Sequence, residues 1–383
     1  MEDRPSAIGG YEDWPGWVRS RPVLDGDATT REVGGLLGVP QPGTEPDREA
    51  GTTPEPTPEP PTVRTWQRDG VAVTETRWST GFGPATRAWI LRPSDTVGPL
   101  PGVLALHCHG GVKSIGAEKL LRTPEASATA ERVRRDLYGG RPFAEDLARA
   151  GFVVLAHDTF AWGSRRFALD PLPTSVRAAV HGAEAARVAD RTTPDTDRRY
   201  DVAAGAHEHV VAKAAGYLGT SFAGMVAHDD LVALRLLRSL PGVDPARTAV
   251  AGMSGGGGRS ATLASLDPDL RTAVVVAMMT TTQALFPAHV DAHSWLLATP
   301  LGPEWGLPRL AAGWRRHDLL AISLADDELF PPDGVRAAHR ELAERYAGSG
   351  SGRFEDAILP GPHGFPPEAQ DMAIDFLVGS LGG

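Results

Sequence analysis

The sequence is poor in cysteine, in long apolar runs and in clustered basic residues. Its single cysteine, Cys108, excludes a disulfide within the chain and fits a reducing compartment. Apolar stretches such as 273–279 are much shorter than the roughly 20 residues that a membrane-spanning helix needs. The net charge of −10 and the scattered arginines argue against nucleic-acid binding. Since the N-terminus also lacks the apolar segment of a secretory signal, we expect a cytoplasmic protein without membrane or nucleic-acid partners.

The remaining composition is that of a folded globular chain. The 383 residues are 41% hydrophobic and 22% charged, which allows a sizeable core. Eight prolines fall between residues 40 and 62, a density that predicts an extended linker. We therefore divide the chain into an N-terminal arm with its linker, residues 1–62, and a main domain, residues 63–383. The arm carries Trp14 and Trp17 and should pack on the core.

The main domain alternates short apolar runs with helical segments. Residues 71–78 and 88–91 predict an antiparallel hairpin. Six later runs predict buried parallel strands: 102–107, 152–156, 248–253, 273–279, 319–324 and 354–359. Four helices are predicted among them: 141–150, 227–239, 334–346 and 368–377. This order predicts a doubly wound, mostly parallel α/β sheet with helices on both faces and sites at the carboxyl ends of the strands.

Two segments are too long for ordinary connections, 112–138 and 164–224. The second mixes apolar residues with many charges, as expected of a layer with one buried and one solvated face. It emerges at the carboxyl end of the sheet. We interpret it as a helical cap over the functional site.

One motif indicates nucleophilic catalysis. Gly252-Met-Ser-Gly-Gly256 directly follows a predicted strand and precedes a small-residue helix start, the context in which G-x-S-x-G is informative. Its glycines let the backbone turn tightly and leave the hydroxyl of Ser254 exposed. A glycine-rich turn without chemistry is the alternative for this segment. We favour Ser254 as a nucleophile.

A serine nucleophile needs a base, and the base needs an orienting carboxylate. His363 follows the strand 354–359, and Asp326 and Asp327 follow the strand 319–324. A solvated turn explains either position taken alone, but the order Ser, Asp, His with each residue beyond a strand end favours a triad. We choose Asp327 over Asp326 because Pro331 then lies four residues further on.

The tetrahedral intermediate of such a reaction requires N–H donors. We assign them to the backbone of Gly255 and of His109, with Gly110 as the alternative to His109. The cluster His107-Cys108-His109 could instead suggest a metal. Adjacent ligands without a remote acidic or thiol partner argue against zinc, so no cofactor is expected.

Other polar and aromatic residues after strand ends are candidates for the substrate pocket. Those after the strand 152–156 could equally be structural turn residues, and those after the strand 273–279 are candidates for an acyl or alcohol wall. The candidates are Asp158, Trp162, His289, His293 and Trp295.

Residues 98–380 resemble the α/β-hydrolase superfamily, and within it the dienelactone hydrolase-like and acetyl xylan esterase-like branch. The resemblance lies in the segments 107–111, 151–158 with Gly163, 252–256, 327–331 and 363–366. It implies metal-free hydrolysis of a short-acyl ester or lactone. Cys108 stands where glycine is more usual, and segment 164–224 departs from the family.

Other functions share these residues. On the same triad an acyltransferase or cyclase would use an alcohol or amine in place of water, and a C–C bond hydrolase would cleave a β-diketone. A catalytically silent binding module is a third possibility, which an intact triad disfavours. The expected partner is a small ester, lactone or acyl substrate, and a homo-oligomer is left open.

Overall fold

A large sheet runs through the part of the chain that this computed structural model describes. That part comprises residues 4–43, 61–96, 98–125, 127–189, 195–293, 299, 301–314, 316–348, 350 and 352–382. The strands are β1 (Thr62–Arg68), β2 (Val71–Trp78), β3 (Thr86–Pro93), β4 (Leu100–Leu106), β5 (Val153–His157), β6 (Val243–Met253), β7 (Thr272–Val276), β8 (Asp318–Leu324) and β9 (Phe354–Leu359). Their spatial order is β1-β2-β3-β5-β4-β6-β7-β8-β9.

Strand direction divides the sheet into two parts. β1, β2 and β3 pair antiparallel, and β3 also pairs antiparallel with β5. From β5 through β4 and β6 to β9 every pairing is parallel. The predicted doubly wound, mostly parallel α/β fold is therefore confirmed.

Two strands differ from the sequence-based prediction. β1 was missed because it directly follows the proline-rich segment, and it pairs along β2 from Thr62 onward. β9 was predicted as buried, but it is the last strand of the sheet and its residues are half-buried or exposed. An edge strand has a neighbour on one side only, so its short apolar run does not imply burial.

Helices cover both faces of the sheet. They are α1 (Trp14–Ser20), α2 (Ala28–Leu37), α3 (Ala128–Tyr138), α4 (Phe143–Arg149), α5 (Arg177–Ala189), α6 (Thr196–Tyr217), α7 (Phe222–Ser239), α8 (Gly255–Leu266), α9 (Leu307–Ala312), α10 (Pro332–Tyr346) and α11 (Pro367–Leu381). Leu104 and Leu106 face a core shared with α2, α7, α8, α9 and α10. Val103 and Ala105, on the opposite face of β4, meet α3, α4 and α11. This two-residue alternation is what a strand buried on both faces requires.

Helix α3 lies in the long segment 112–138, where no helix was predicted. The Ser127 hydroxyl accepts a hydrogen bond from the N–H of Ala130 at its start, and Gly139 ends it with a left-handed φ of 59°. Both are standard helix-end signals, so the sequence did contain the information.

The N-terminal arm is built into the main domain. Tyr11 and Trp14 are fully buried in a third cluster, which they share with Phe82, Phe160 and residues of segment 164–224. The carbonyl of Leu37, at the end of α2, accepts a hydrogen bond of 2.7 Å from the Ser221 hydroxyl. The predicted linker falls mostly on residues 44–60, outside the described residues.

Among the described helices, none is by itself both long and apolar enough to cross a membrane. Only α6 and α7 taken together meet that criterion of length and composition, and they are bent by 84° relative to each other.

Candidate active site

Ser254 occupies a sharp turn between β6 and α8. Its φ of 56° and ψ of −124° are unusual for a residue with a side chain, so the surrounding structure must hold the turn. Its N–H donates to the carbonyl of Val276 at 2.8 Å, and its carbonyl accepts from Gly258 at 3.0 Å. Ser254 is 9% exposed and stands at the N-terminus of α8, where the helix dipole favours negative charge.

The flanking glycines are required by close backbone approaches. A Cβ on Gly252 would lie 2.5 Å from the backbone of Gly256. The chain therefore turns so sharply from β6 into α8 that position 252 has no room for a side chain. A Cβ on Gly256 would lie 2.1 Å from the carbonyl oxygen of Leu106, the last residue of β4. The second contact brings the serine turn against the loop that follows β4.

His363 and Asp327 meet at the neighbouring strand ends. Nδ1 of His363 lies 2.6 Å from Oδ2 of Asp327, whose other oxygen accepts from the N–H of Leu329 at 3.0 Å. Because a carboxylate only accepts, Nδ1 carries the proton and Nε2 keeps its lone pair. The Asp327 side chain is 3% exposed and that of His363 is 18% exposed. Asp326 is exposed and exchanges hydrogen bonds with the backbone of Gly361 instead.

The structure thus joins Asp327 to His363 and brings Ser254 to the same end of the sheet. Within the described residues, no hydrogen bond joins the hydroxyl of Ser254 to His363. Such contacts are often long without substrate and tighten only in the reacting complex. The catalytic roles of the three residues stay predictions.

The loop after β4 carries the predicted oxyanion donors. The N–H groups of His109 and Gly110 form no hydrogen bond with the described part of the chain. Gly110 and Gly111 both have left-handed φ values, 62° and 64°, which let the loop curl back. The N–H of Gly255 opens α8 and belongs to the first helical turn, whose donors have no partner within the helix.

Buried charges that sequence reasoning missed surround this loop. Nζ of Lys119 donates to three loop carbonyls, and Glu208 of α6 accepts from His109. Beneath the loop, Arg259 donates to the His107 carbonyl at 3.1 Å and to both carboxylate oxygens of Asp230. Glu208 and Arg259 lie 99 and 152 positions from their partners in the loop, so no local sequence pattern indicates these contacts. Lys119 is close in sequence, but its spacing from the loop carbonyls matches no motif used above.

The predicted pocket residues have different surroundings. Asp158 is buried, and its carboxylate accepts from the N–H groups of Ala117 and Ser164. It lines a cavity of about 860 Å³ with both polar and apolar walls, whose described lining includes neither Ser254 nor His363. The Trp162 ring is buried and meets the His109 ring edge-on, with centroids 5.2 Å apart.

The remaining pocket candidates lie in the connection after β7. His289 is half-buried, and its N–H donates to Leu285 at 2.8 Å. His293 ends a short 3-10 turn, Val290–His293. Trp295 lies outside the described residues.

An apolar cavity of about 460 Å³ lies beside this connection. Its lining includes Met278, just beyond β7, and Phe330, whose ring centroid is 6.3 Å from that of His363. Leu285, Phe286 and Trp305 contribute further apolar surface. The cavity therefore reaches the residue next to the predicted base.

In the described ranges, no group of three or more His, Cys, Asp or Glu side chains is arranged to hold a metal ion. The imidazole of His107 instead contacts the carbonyl of Cys108 through Nδ1 at 3.0 Å. Burial, together with the nearby charges of Arg259 and Lys119, holds the pKa of His107 well below its usual value.

Comparison with known proteins supports the fold assignment. No protein-family model matches the chain. It is 25% identical over 285 residues to the Bacillus subtilis protein named "Putative hydrolase YtaP", covering 71% of this chain and 79% of that one.

Two solved structures are similar at low identity. A Bacteroides fragilis protein described as a "putative acetyl xylan esterase" aligns at TM-score 0.59 and 15% identity, over 92% of this chain and 77% of its own. Acetyl xylan esterase 1 from Thermoanaerobacterium aligns at TM-score 0.52 and 16% identity, over 97% and 95%. The chain has the α/β-hydrolase fold, as predicted.

Proposed function

We propose that this chain, an α/β hydrolase by fold, is a serine hydrolase that cleaves a carboxylic ester or lactone with a short acyl group. The observation that carries the proposal is the 2.6 Å hydrogen bond from His363 to the buried carboxylate of Asp327, at the strand ends where Ser254 heads α8. A base with a fixed tautomer beside a serine on a strained turn is the arrangement that activates a hydroxyl.

In the first half-reaction, the Ser254 hydroxyl oxygen attacks the carbonyl carbon of the ester while Nε2 of His363 takes its proton. The carbonyl oxygen becomes an oxyanion, which the N–H groups of Gly255 and His109 stabilise. The intermediate collapses, the C–O bond to the alcohol breaks, and His363 returns the proton to the departing alcohol. Asp327 keeps the imidazole oriented and stabilises its protonated form throughout.

In the second half-reaction, a water molecule gives a proton to Nε2 of His363 and attacks the acyl carbon. A second tetrahedral intermediate forms in the same oxyanion site. The bond between the Ser254 oxygen and the acyl carbon then breaks, His363 returns its proton to that oxygen, and the carboxylic acid leaves. No redox change occurs, and the products are one acid and one alcohol, or one hydroxy acid when the substrate is a lactone.

The similar proteins support this reaction class. One is named a "putative hydrolase", one is described as a "putative acetyl xylan esterase", and one is named acetyl xylan esterase 1. The apolar cavity lined by Phe330, whose ring centroid is 6.3 Å from that of His363, offers a place for the uncharged part of a substrate, although its described lining includes neither Ser254 nor His363. An apolar wall beside the site lowers the local dielectric and strengthens the contacts that stabilise the oxyanion.

A fluorophosphonate probe tests the proposal directly, together with turnover of p-nitrophenyl acetate. We expect one probe molecule per chain on Ser254, and Ser254→Ala should abolish labelling and lower kcat by several orders of magnitude. Ser260→Ala is the matched control, since Ser260 lies on the same helix and its hydroxyl donates to the Gly256 carbonyl one turn earlier. Retention of more than about a tenth of wild-type turnover by Ser254→Ala contradicts the proposal. Product analysis in water and in added alcohol separates hydrolysis from acyl transfer.

A further inference from the structure

The loop that follows β4 is fixed by two buried charged side chains from outside it. One is Lys119, from a 3-10 turn (Ala117–Lys119), and the other is Glu208, from α6. Neither belongs to the predicted triad or to the predicted oxyanion donors, and both contact the residues that carry those donors.

Lys119 determines which way two peptide groups face. Its Nζ lies 3.0 Å from the carbonyl oxygens of both Cys108 and His109, and 2.7 Å from that of Val112. In a trans peptide the C=O of one residue and the N–H of the next point in opposite directions. Lys119 therefore turns the N–H groups of His109 and Gly110 away from itself.

The side chain of His109 is held at both ring nitrogens. The N–H of Gly111 donates to Nδ1 at 3.0 Å, so Nδ1 is an acceptor. Nε2 must then carry the proton, and it donates to Oε1 of Glu208 at 2.6 Å. Glu208 thus fixes the rotation of the His109 ring from α6.

The same helix holds the next part of the loop. Lys113 places its Nζ 2.8 Å from Oε1 of Glu208 and 4.1 Å from the ring centroid of Trp162. The backbone N–H groups of Lys113 and Ser114 both donate to Oδ1 of Asp201, at 2.8 and 2.7 Å. Asp201 and Glu208 are seven residues apart on α6, which puts them on one helix face, two turns apart.

The surroundings of Glu208 and His109 favour the protonation states that their hydrogen bond requires. Burial raises the pKa of Glu208, but the Lys113 ammonium and the His109 side chain outweigh it and hold this pKa well below its usual range. Burial lowers the pKa of His109, and the carboxylate of Glu208 only partly opposes this. The stable combination is an ionised Glu208 and a neutral His109.

We propose that Glu208 and Lys119 are positioning residues for the oxyanion site: together they hold the His109 and Gly110 peptides with their N–H groups free to bind the developing oxyanion. This rests on the function proposed above and extends it. Segment 164–224, which we interpret as a cap, then has a second role, because its helix α6 helps to hold the loop that follows β4.

The test uses Glu208→Ala and Glu208→Gln in the full-length enzyme. The alanine removes both the acceptor for His109 and the charge facing Lys113, whereas glutamine keeps an acceptor. We expect Glu208→Ala to lower kcat roughly 10- to 100-fold with KM changed less than about twofold, and Glu208→Gln to fall in between. Glu184→Gln is the matched control, since Glu184 lies on α5 and pairs with Arg187.

A second readout separates positioning from general structural damage. A trifluoromethyl ketone forms a tetrahedral adduct with serine and needs the oxyanion donors, so its affinity should fall by the same factor as kcat/KM. Hydrogen exchange at the amides of residues 109–111 should speed up in Glu208→Ala. Lys119→Met should show the same pattern, and if it fails to fold, the Glu208 variants alone decide.

Three results overturn the inference. A folded Glu208→Ala enzyme with kcat within twofold of wild type shows that the contact positions nothing. Loss of kcat with unchanged ketone affinity assigns Glu208 a role outside the oxyanion site. With either of these two results, labelling of the wild-type enzyme by fluorophosphonate means that the proposed function stands and only this inference fails. If the wild-type enzyme is neither labelled nor active on esters, the proposed function fails and this inference fails with it.

Discussion

His363 and Asp327 lie 36 positions apart in the sequence, yet their side chains are joined by a hydrogen bond of 2.6 Å. Asp327→Asn keeps the size of the side chain but no longer holds the proton on Nδ1 of His363 or stabilises the imidazolium. We expect kcat/KM to fall by about 10³ to 10⁴, measured with p-nitrophenyl acetate.

The adjacent Asp326 provides the control for that prediction. It is exposed, and within the described residues its hydrogen bonds are with the backbone of Gly361, so Asp326→Asn should change kcat/KM by less than about threefold. If Asp326→Asn proved the more damaging of the two substitutions, the orienting role would pass to Asp326.

Chelation should leave the reaction unaffected. The proposed chemistry uses the Ser254 hydroxyl, the His363 imidazole, the Asp327 carboxylate and backbone N–H groups, and no step requires a Lewis acid. Ester turnover after dialysis against EDTA should match that of the untreated enzyme. Loss of turnover that added zinc restores would replace this mechanism with a metal-assisted one.

Acid should destabilise the fold through its buried histidines. Burial lowers the pKa of His317 to about 4, although a hydrogen bond to the Ala311 carbonyl opposes the shift. The unfolded chain takes up this proton near pH 6.5 and the folded chain only near pH 4, so stability falls as the pH drops between these values. The full contribution is on the order of 3 kcal/mol.

Urea unfolding at pH 7 and pH 4.5 measures this effect. The loss of stability on acidification should be smaller in His317→Gln than in wild type, even though the variant starts from a lower value. Burial also lowers the pKa of His207 and His228, so part of the loss should persist. Equal losses in both proteins would show that His317 does not drive the acid transition.

Segment 164–224 should limit the length of the acyl chain. Phe167, Leu169 and Val176 are buried in it, and Glu208 of its helix α6 contacts the loop that follows β4. The intact enzyme should turn over p-nitrophenyl acetate or butyrate faster than the laurate. Replacing α5, most of which is solvent-facing, by a short Gly/Ser linker should shift the ratio toward laurate.

The apolar cavity near His363 supplies the competing explanation for chain-length selectivity. Leu285→Trp would fill part of that cavity without altering segment 164–224. If the linker variant folds with unchanged selectivity and Leu285→Trp alone alters it, the connection after β7 is the determinant.

The sequence predicted the parallel strands and the positions of Ser254, Asp327 and His363 because local patterns encode them. Each of these strands is a short apolar run, and Ser254, Asp327 and His363 lie one, three and four positions beyond the ends of β6, β8 and β9. The contacts that Lys119 and Glu208 make were not predictable in this way. Glu208 lies 99 positions from His109. From the sequence alone, a charged residue in a helix is expected to be exposed to solvent, and only the folded structure shows its partner.

The packing of the N-terminal arm has a consequence for the order of folding. The carbonyl of Ala7 accepts from His207, 200 positions later, and the Thr30 hydroxyl donates to Leu266, 236 positions later. The arm is synthesised before the segments that it contacts, so it lacks its binding surface until most of the sheet has formed. Contacts of such long sequence separation form slowly. In a refolding experiment, the amides of the arm should be the last to become protected from hydrogen exchange. A segment that is synthesised early would then be the last to pack.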